Sequence, residues 1–178
     1  MARVQDYMRD AEIQQWGKVR RVDTDEGDTM HAAQVGQTLE MPHLFGCYEM
    51  FIEKNAAFRQ RAPKFELQTF YGQLQHLFVV KIPDSAAREA LRLPPEQDTF
   101  IFAGIRTCVI DANDTKLNSL DIHFYSRMGS LDVVDITSVQ CLVGRVKDRE
   151  PHTWGIIDRS GGLVRALAVD EDLGDDDF

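Results

Sequence analysis

FYGQLQHLFVVKI, Phe70 to Ile82, is the longest strand-like run in the chain, and its reading decides the fold. At period two, Leu74, His76, Phe78, Val80 and Ile82 fall on one face. Tyr71, Gln73, Gln75, Leu77, Val79 and Lys81 fall on the other. Phe65 to Thr69 leads straight into this run. The run reads as the central strand of a small β-barrel or strongly bent sheet.

Working outward, the same signals recur. Trp16 to Val22, Thr29 to Val35 and Phe45 to Glu53 precede the central run. Thr99 to Ile110 is a second nearly continuous apolar run, in which Gly104 marks a bulge or a tight bend. Leu120 to Ser126 alternates, with Leu120, Ile122 and Phe124 expected inward and Asp121, His123 and Tyr125 outward. A glycine turn at Gly129 is expected to separate it from Leu131 to Thr137. Cys141 to Asp148 and Thr153 to Arg159 read as a hairpin joined over Lys147 to His152, and Leu163 to Val169 as a last strand or extension. The fold class is therefore mostly β: a small bent-sheet barrel of about eight to ten short strands.

Two helices complete the expectation. Val4, Tyr7, Met8 and Ala11 repeat at helical spacing, which predicts a short amphipathic N-terminal helix over residues 1–15. After Ile82 the segment PDSAAREALRLPP reads as one helical excursion, capped by Asp84 or Ser85 and ended by Pro94 and Pro95. The domain proper spans 16–169, and the tail 170–178 is expected to be disordered.

Charge sorts the function classes. The formal net charge is −9, and six of the acidic residues lie in Asp170 to Asp177, DEDLGDDD. That balance argues against a module gripping phosphate backbone over its whole face, but leaves room for a local basic patch. Arg20 and Arg21 form one such patch. Lys54, Arg59, Arg61 and Lys64, set around Phe58 in KNAAFRQRAPK, form another. Basic residues interleaved with an aromatic can combine phosphate contact with base stacking.

Other chemistries are thinner. No GxSxG, P-loop, GxGxxG or HExxH pattern occurs, so neither an enzyme nor a cofactor is expected. Cys47, Cys108 and Cys141 are odd in number, lack CxxC spacing and read as buried reduced thiols. His76, His123, Cys108 and Cys141 would hold a metal only if neighbouring strands brought them together. Asp111, Asp114, Asp121, Asp132 and Asp135 would serve a metal-dependent nuclease or hydrolase only by converging at strand ends. Tyr71, Tyr125 and Trp154 could frame an aromatic cage for methylated lysine or a platform for a base. No apolar run reaches the length of a membrane span, and residues 1–10 lack the apolar core of a secretory signal, so a nuclear or cytoplasmic location is expected.

Five segments occur in fixed order: FELQTFYGQLQHLFVVKIP, FIFAGIRTC, LDIHFYS, VVDITSVQCLVGRV and WGIIDRSG. Together they resemble the C-terminal accessory region of fungal transposases of the KDZ (Kyakuja–Dileera–Zisupton) and CACTA-related type. They are similar, more loosely, to a short domain of unknown function that follows the catalytic domain in plant CACTA-type transposases. The matching features are Tyr71-Gly72, Phe100 to Ile105, Val134-Asp135 and Trp154 to Ile157, and the resemblance covers Trp16 to Gly162. It implies a compact β-domain, similar in strand pattern to bromo-adjacent homology (BAH) modules, that accompanies a separate catalytic core. It implies no catalytic residue here. The expected partners are chromatin, nucleic acid or a protein, including a transposase catalytic chain.

Overall fold

The computed structural model describes residues 11–20, 29–32, 44–58, 60–82, 84–111 and 121–158. Nine strands lie among them: β1 Glu12–Trp16, β2 Lys18–Arg20, β3 Thr29–His31, β4 Phe45–Glu53, β5 Phe65–Lys81, β6 Thr99–Ile110, β7 Ile122–Asp135, β8 Val139–Lys147 and β9 Trp154–Ile157. One helix, α1 (Ser85–Ala90), and one 3-10 turn, Ile136–Ser138, interrupt them. The chain is mostly β, as its patterning predicts. Seven strands form one antiparallel sheet in the order β1-β5-β4-β8-β9-β7-β6, and β2 pairs with β3 in a separate ribbon. An added β5–β6 pairing closes β4, β5, β6, β7, β9 and β8 into a hydrogen-bonded ring.

β5 makes the closure possible by changing neighbours along its length. Its first part pairs with β4, from Phe65↔Glu53 to Gln73↔Phe45. Its second part pairs with β6 from Gly72↔Thr107 onward, and β1 lies along its other edge from Leu77 to Lys81. The handover falls at Gly72, which sits opposite Gly46 on β4. A Cβ at Gly72 would stand 2.5 Å from Ile105 Cγ2 and 2.7 Å from the Arg106 carbonyl oxygen. Only glycine lets the two strands come this close.

Three clusters of buried side chains result. The first joins Tyr48, Leu74, Leu77, Ala103, Ile105, Val134 and Val139, and is covered by Val19, Met30 and Ala32 of the β2–β3 region. The second gathers Phe45, Cys47, Tyr71, Cys108, Tyr125 and Ile156, so that all six strands of the ring contribute once Cys141 and Val143 are included. In the third, α1 sets Ala87 on Val80, Ile82 and Phe100. The helix starts where Asp84 Oδ1 accepts a hydrogen bond from the Ala86 amide at 3.0 Å.

Four sequence expectations are corrected. The alternation in β5 breaks, because Leu74 faces Ile105 while His76 faces Gly104, leaving Gln75 as an extra residue. This bulge swaps the faces, which is why Leu74 and Leu77 enter the same cluster. Gly104 thus lies opposite the bulge, and its missing side chain makes room for His76, whose Cβ would stand 3.3 Å from a Cβ at position 104. Gly129 is no turn: β7 runs unbroken from Ile122 to Asp135. Two extra residues are absorbed as bulges against β6, and a Cβ at Gly129 would press on Val109 at 3.2 Å. Tyr125 points inward, 3% exposed, whereas Ile122 and Phe124 are only half-buried. Finally, the end of the expected N-terminal helix is strand β1, because Glu12 to Trp16 find a free edge on β5. Residues 1–10, Leu163 to Val169 and the acidic tail lie outside the described residues.

Replacing Gly72 by Ala is expected to lower unfolding free energy by about 2 kcal/mol, because backbone as well as Ile105 must move. Gly144→Ala, whose Cβ would meet Ile157 at an ordinary 3.6 Å, serves as the control. Urea unfolding of the two variants, with equal losses for both, would contradict the close-approach account.

Candidate interaction surfaces

Beyond Tyr48 and Phe70 the β4–β5 pair leaves the ring. Among the described residues, 49–53 and 65–69 pair as strands only with each other, since the β8 pairing stops at Tyr48 and the β6 pairing begins at Gly72. Five residue pairs make an arm roughly 16 Å long. Its loop is held by its own bonds: Lys54 amide to the Lys64 carbonyl at 2.8 Å, and Asn55 Nδ2 to the Ala62 carbonyl at 2.7 Å. One face of the arm is apolar and bare. Phe51 and Leu67 are directly opposed and Phe65 lies diagonal to them, exposed by 70%, 49% and 61% respectively.

The arm carries most of one basic patch read from the sequence. Lys54, Arg61 and Lys64 sit in or beside its loop, while the side chain of Arg59 lies outside the described residues. Lys54 is ion-paired with Glu66, and the Arg61 guanidinium lies 4.6 Å above the Phe58 ring. Arg20 is exposed on the separate β2–β3 ribbon, and Arg21 lies outside the described residues.

Tyr125 and Trp154 do meet, as cross-strand partners on β7 and β9. Tyr71 goes elsewhere, stacking on His123 at 4.9 Å and donating to Asp158 Oδ2 at 2.9 Å. The guanidinium of Arg145 on β8 lies 3.8 Å from the Trp154 ring centre and 4.5 Å from that of Phe45. Its Nη1 donates to the Tyr125 hydroxyl at 3.3 Å. The aromatic group thus already holds a cation of the chain itself.

Around this stack opens a cavity of about 440 Å³. Phe45, Trp154 and Met128 give it apolar walls. Gln73, Gln75, Ser126, Arg106, Arg127 and Arg145 supply its polar groups. The bulges place several of them: Gln75 is the extra residue of β5, and Ser126 and Arg127 lie where β7 gains one between Tyr125 and Met128. Sequence reading missed these three arginines because they come from three separate strands far apart in the chain, and Arg106 and Arg127 are each the only lysine or arginine of their strand.

The metal and nuclease constellations fare differently. His76 contacts Gln15 at 3.2 Å and stacks on Phe78, His123 stacks on Tyr71, and Cys108 lies 3.9 Å from Met128 Sδ; the expected four do not assemble. Cys141 instead faces Cys47 across β4–β8, sulfurs 2.8 Å apart, with buried Asp158 beside them. These three ligand atoms lie within 4.8 Å of one another, donor types that zinc accepts, one short of a closed tetrahedral set. Asp132 accepts from Tyr48, Thr107 and Ser130, and Asp135 caps the 3-10 turn through Thr137. Asp111 and Asp121 engage neighbouring backbone, and Asp114 lies outside the described residues. Among the described residues these aspartates form no convergent trio. Comparison with protein families, curated proteins and solved structures finds no match for the chain.

The shared hydrogen bond with Cys141, followed by burial, pushes the Cys47 thiol well above the ordinary thiol range. Burial pushes Cys108 from 9.0 up to about 12, and raises Tyr48 and Tyr71 as well. Above pH 9 the unfolded chain therefore releases thiol protons that the folded chain keeps. Stability should fall as pH rises from about 9 to 12, by up to about 1.4 kcal/mol per unit for each group. Thermal melts across that range check the slope, and a flat profile would contradict the burial of these groups.

Proposed function

We propose that this chain is a non-enzymatic, transposase-derived interaction module whose β4–β5 arm docks on a protein partner in chromatin or on a transposase catalytic chain. The observation that carries this reading is the bare apolar face of the arm. Phe51, Phe65 and Leu67 are large, adjacent and solvent-exposed on a hairpin ordered by its own backbone bonds. Contiguous exposed apolar surface of this kind costs solubility unless something covers it, and rigid aromatic anchors contribute most to protein interfaces. Arg61 and Lys64 at the end of the arm favour a partner segment in which acidic residues flank apolar ones.

The segment-by-segment resemblance to transposase accessory regions supports the accessory role, and the closed ring of strands is consistent with a BAH-like barrel. A nuclear location follows from that reading. Nucleic acid is the second reading, favoured by Arg61 stacked on Phe58 beside Lys54 and Lys64. The methyl-lysine reading is disfavoured by Arg145, which already lies on the Trp154 face.

Fluorescence anisotropy with core histones, a transposase catalytic chain, and duplex and single-stranded DNA tests the proposal. A Phe51→Asp/Leu67→Asp variant should weaken protein binding roughly tenfold or more while its melting temperature stays within about 2 °C of the parent. DNA binding lost in Arg61→Glu/Lys64→Glu but kept in the apolar variant would move the function to nucleic acid. Protein binding indifferent to both variants would overturn the role of the arm.

A further inference from the structure

We propose that the cavity bordered by Arg106, Arg127 and Arg145 binds a nucleotide-sized phosphomonoester: a nucleoside monophosphate, free or as the phosphorylated end of a strand. The first argument is charge. The chain as a whole carries −9, yet among the described residues this one cavity is lined by three arginines and no carboxylate. Among the described residues none of the three forms an ion pair with an acidic side chain. Guanidinium groups stay charged at any physiological pH, so three around one space repel one another unless an anion sits between them. Such a concentration of positive charge in an acidic protein selects a doubly charged ligand.

The second argument is the way Arg145 is held. The Trp154 and Phe45 rings and the Tyr125 hydroxyl fix its position. Stacking occupies the face of a guanidinium and leaves its in-plane N–H groups for hydrogen bonds, the edge that grips phosphate oxygens in pairs. Arg106 comes from β6, directly opposite Gln73 on β5, and Arg127 from the bulged part of β7. The three therefore approach from different strands around one space.

The third argument is size and composition. About 440 Å³ is far more than a bare phosphate fills and falls within the range of small-molecule sites. The amides of Gln73 and Gln75 offer both donors and acceptors, as the edge of a base requires, and Ser126 adds a hydroxyl. Met128 and the aromatic rings give the organic part an apolar wall. Both bulges that border the cavity interrupt otherwise regular pairing at the cost of ladder hydrogen bonds, a placement common beside functional sites.

Calorimetric titration of the full chain with AMP, GMP, CMP and UMP, with adenosine and inorganic phosphate as controls, tests the assignment. Monophosphate binding should exceed adenosine binding by roughly tenfold or more and weaken as salt is raised. Arg106→Gln/Arg127→Gln should weaken monophosphate binding by a similar factor. Both residues are exposed, so the variant is expected to melt like the parent, and Phe51→Asp/Leu67→Asp should bind nucleotide normally. A pair of oligonucleotides with 5′-phosphate or 5′-hydroxyl ends distinguishes a strand terminus from the free nucleotide. Adenosine binding as tightly as AMP, inorganic phosphate binding as tightly as any nucleotide, or no loss in the double arginine variant would each overturn the proposal.

Discussion

The close approach at Gly72 is the constraint on which the rest of the structure depends. A strand can hand over from one neighbour to the next only if the sheet bends sharply there, and a side chain at this point would collide with the Arg106 carbonyl. With Gly46 opposite, the bend brings β4, β5, β6 and β8 close enough for the ring to close. Closure in turn lets residues from all six strands meet in one cluster. The Tyr71 ring, one residue away, anchors the same corner by stacking on His123 and bonding to Asp158.

Bulges then divide the labour along the long strands. The extra residue at Gln75 turns Leu77 toward the cluster under the β2–β3 ribbon, while Phe78 and Val80 turn toward α1. The extra residues in β7 keep a 14-residue strand in step with a partner that curves away. Polar side chains left over at these irregular points, Gln75, Ser126 and Arg127, reach the cavity beside Gln73, Arg106 and Arg145, which come from regularly paired positions. Bare apolar side chains lie elsewhere: Phe51, Phe65 and Leu67 on the arm, Phe58 in its loop, and Ile13, Trp16, Leu131, Val133 and Val146 on other strands.

Much of this was legible in the sequence. Thr99 to Ile110 and Phe45 to Glu53 end where their β-forming runs end, because both are bounded by turn-forming residues. Asp84 marked the start of α1 through its capping carboxylate. What period-two reading could not show was any bulge, since one inserted residue leaves composition unchanged and reverses every side chain beyond it. Gly129 misled for a related reason: glycine marks a turn and a close strand approach equally well. The arm was visible only as a basic window, because the exposure of Phe51 and Leu67 follows from where β8 and β6 stop. The meeting of Arg106, Arg127 and Arg145 depends on ring closure, which no local pattern encodes.

The arm carries a consequence for how this chain can change over evolutionary time. Phe51, Phe65 and Leu67 belong to none of the three buried clusters, and the loop beyond them is fastened within itself, by the Lys54 amide on the Lys64 carbonyl and the Asn55 side chain on the Ala62 carbonyl. The recognition proposed for the arm and the integrity of the ring are thus written in different residues. Mutations can accumulate on one without being screened by the other, so lineages of this domain could exchange partners repeatedly while the ring beneath stays under constant purifying pressure.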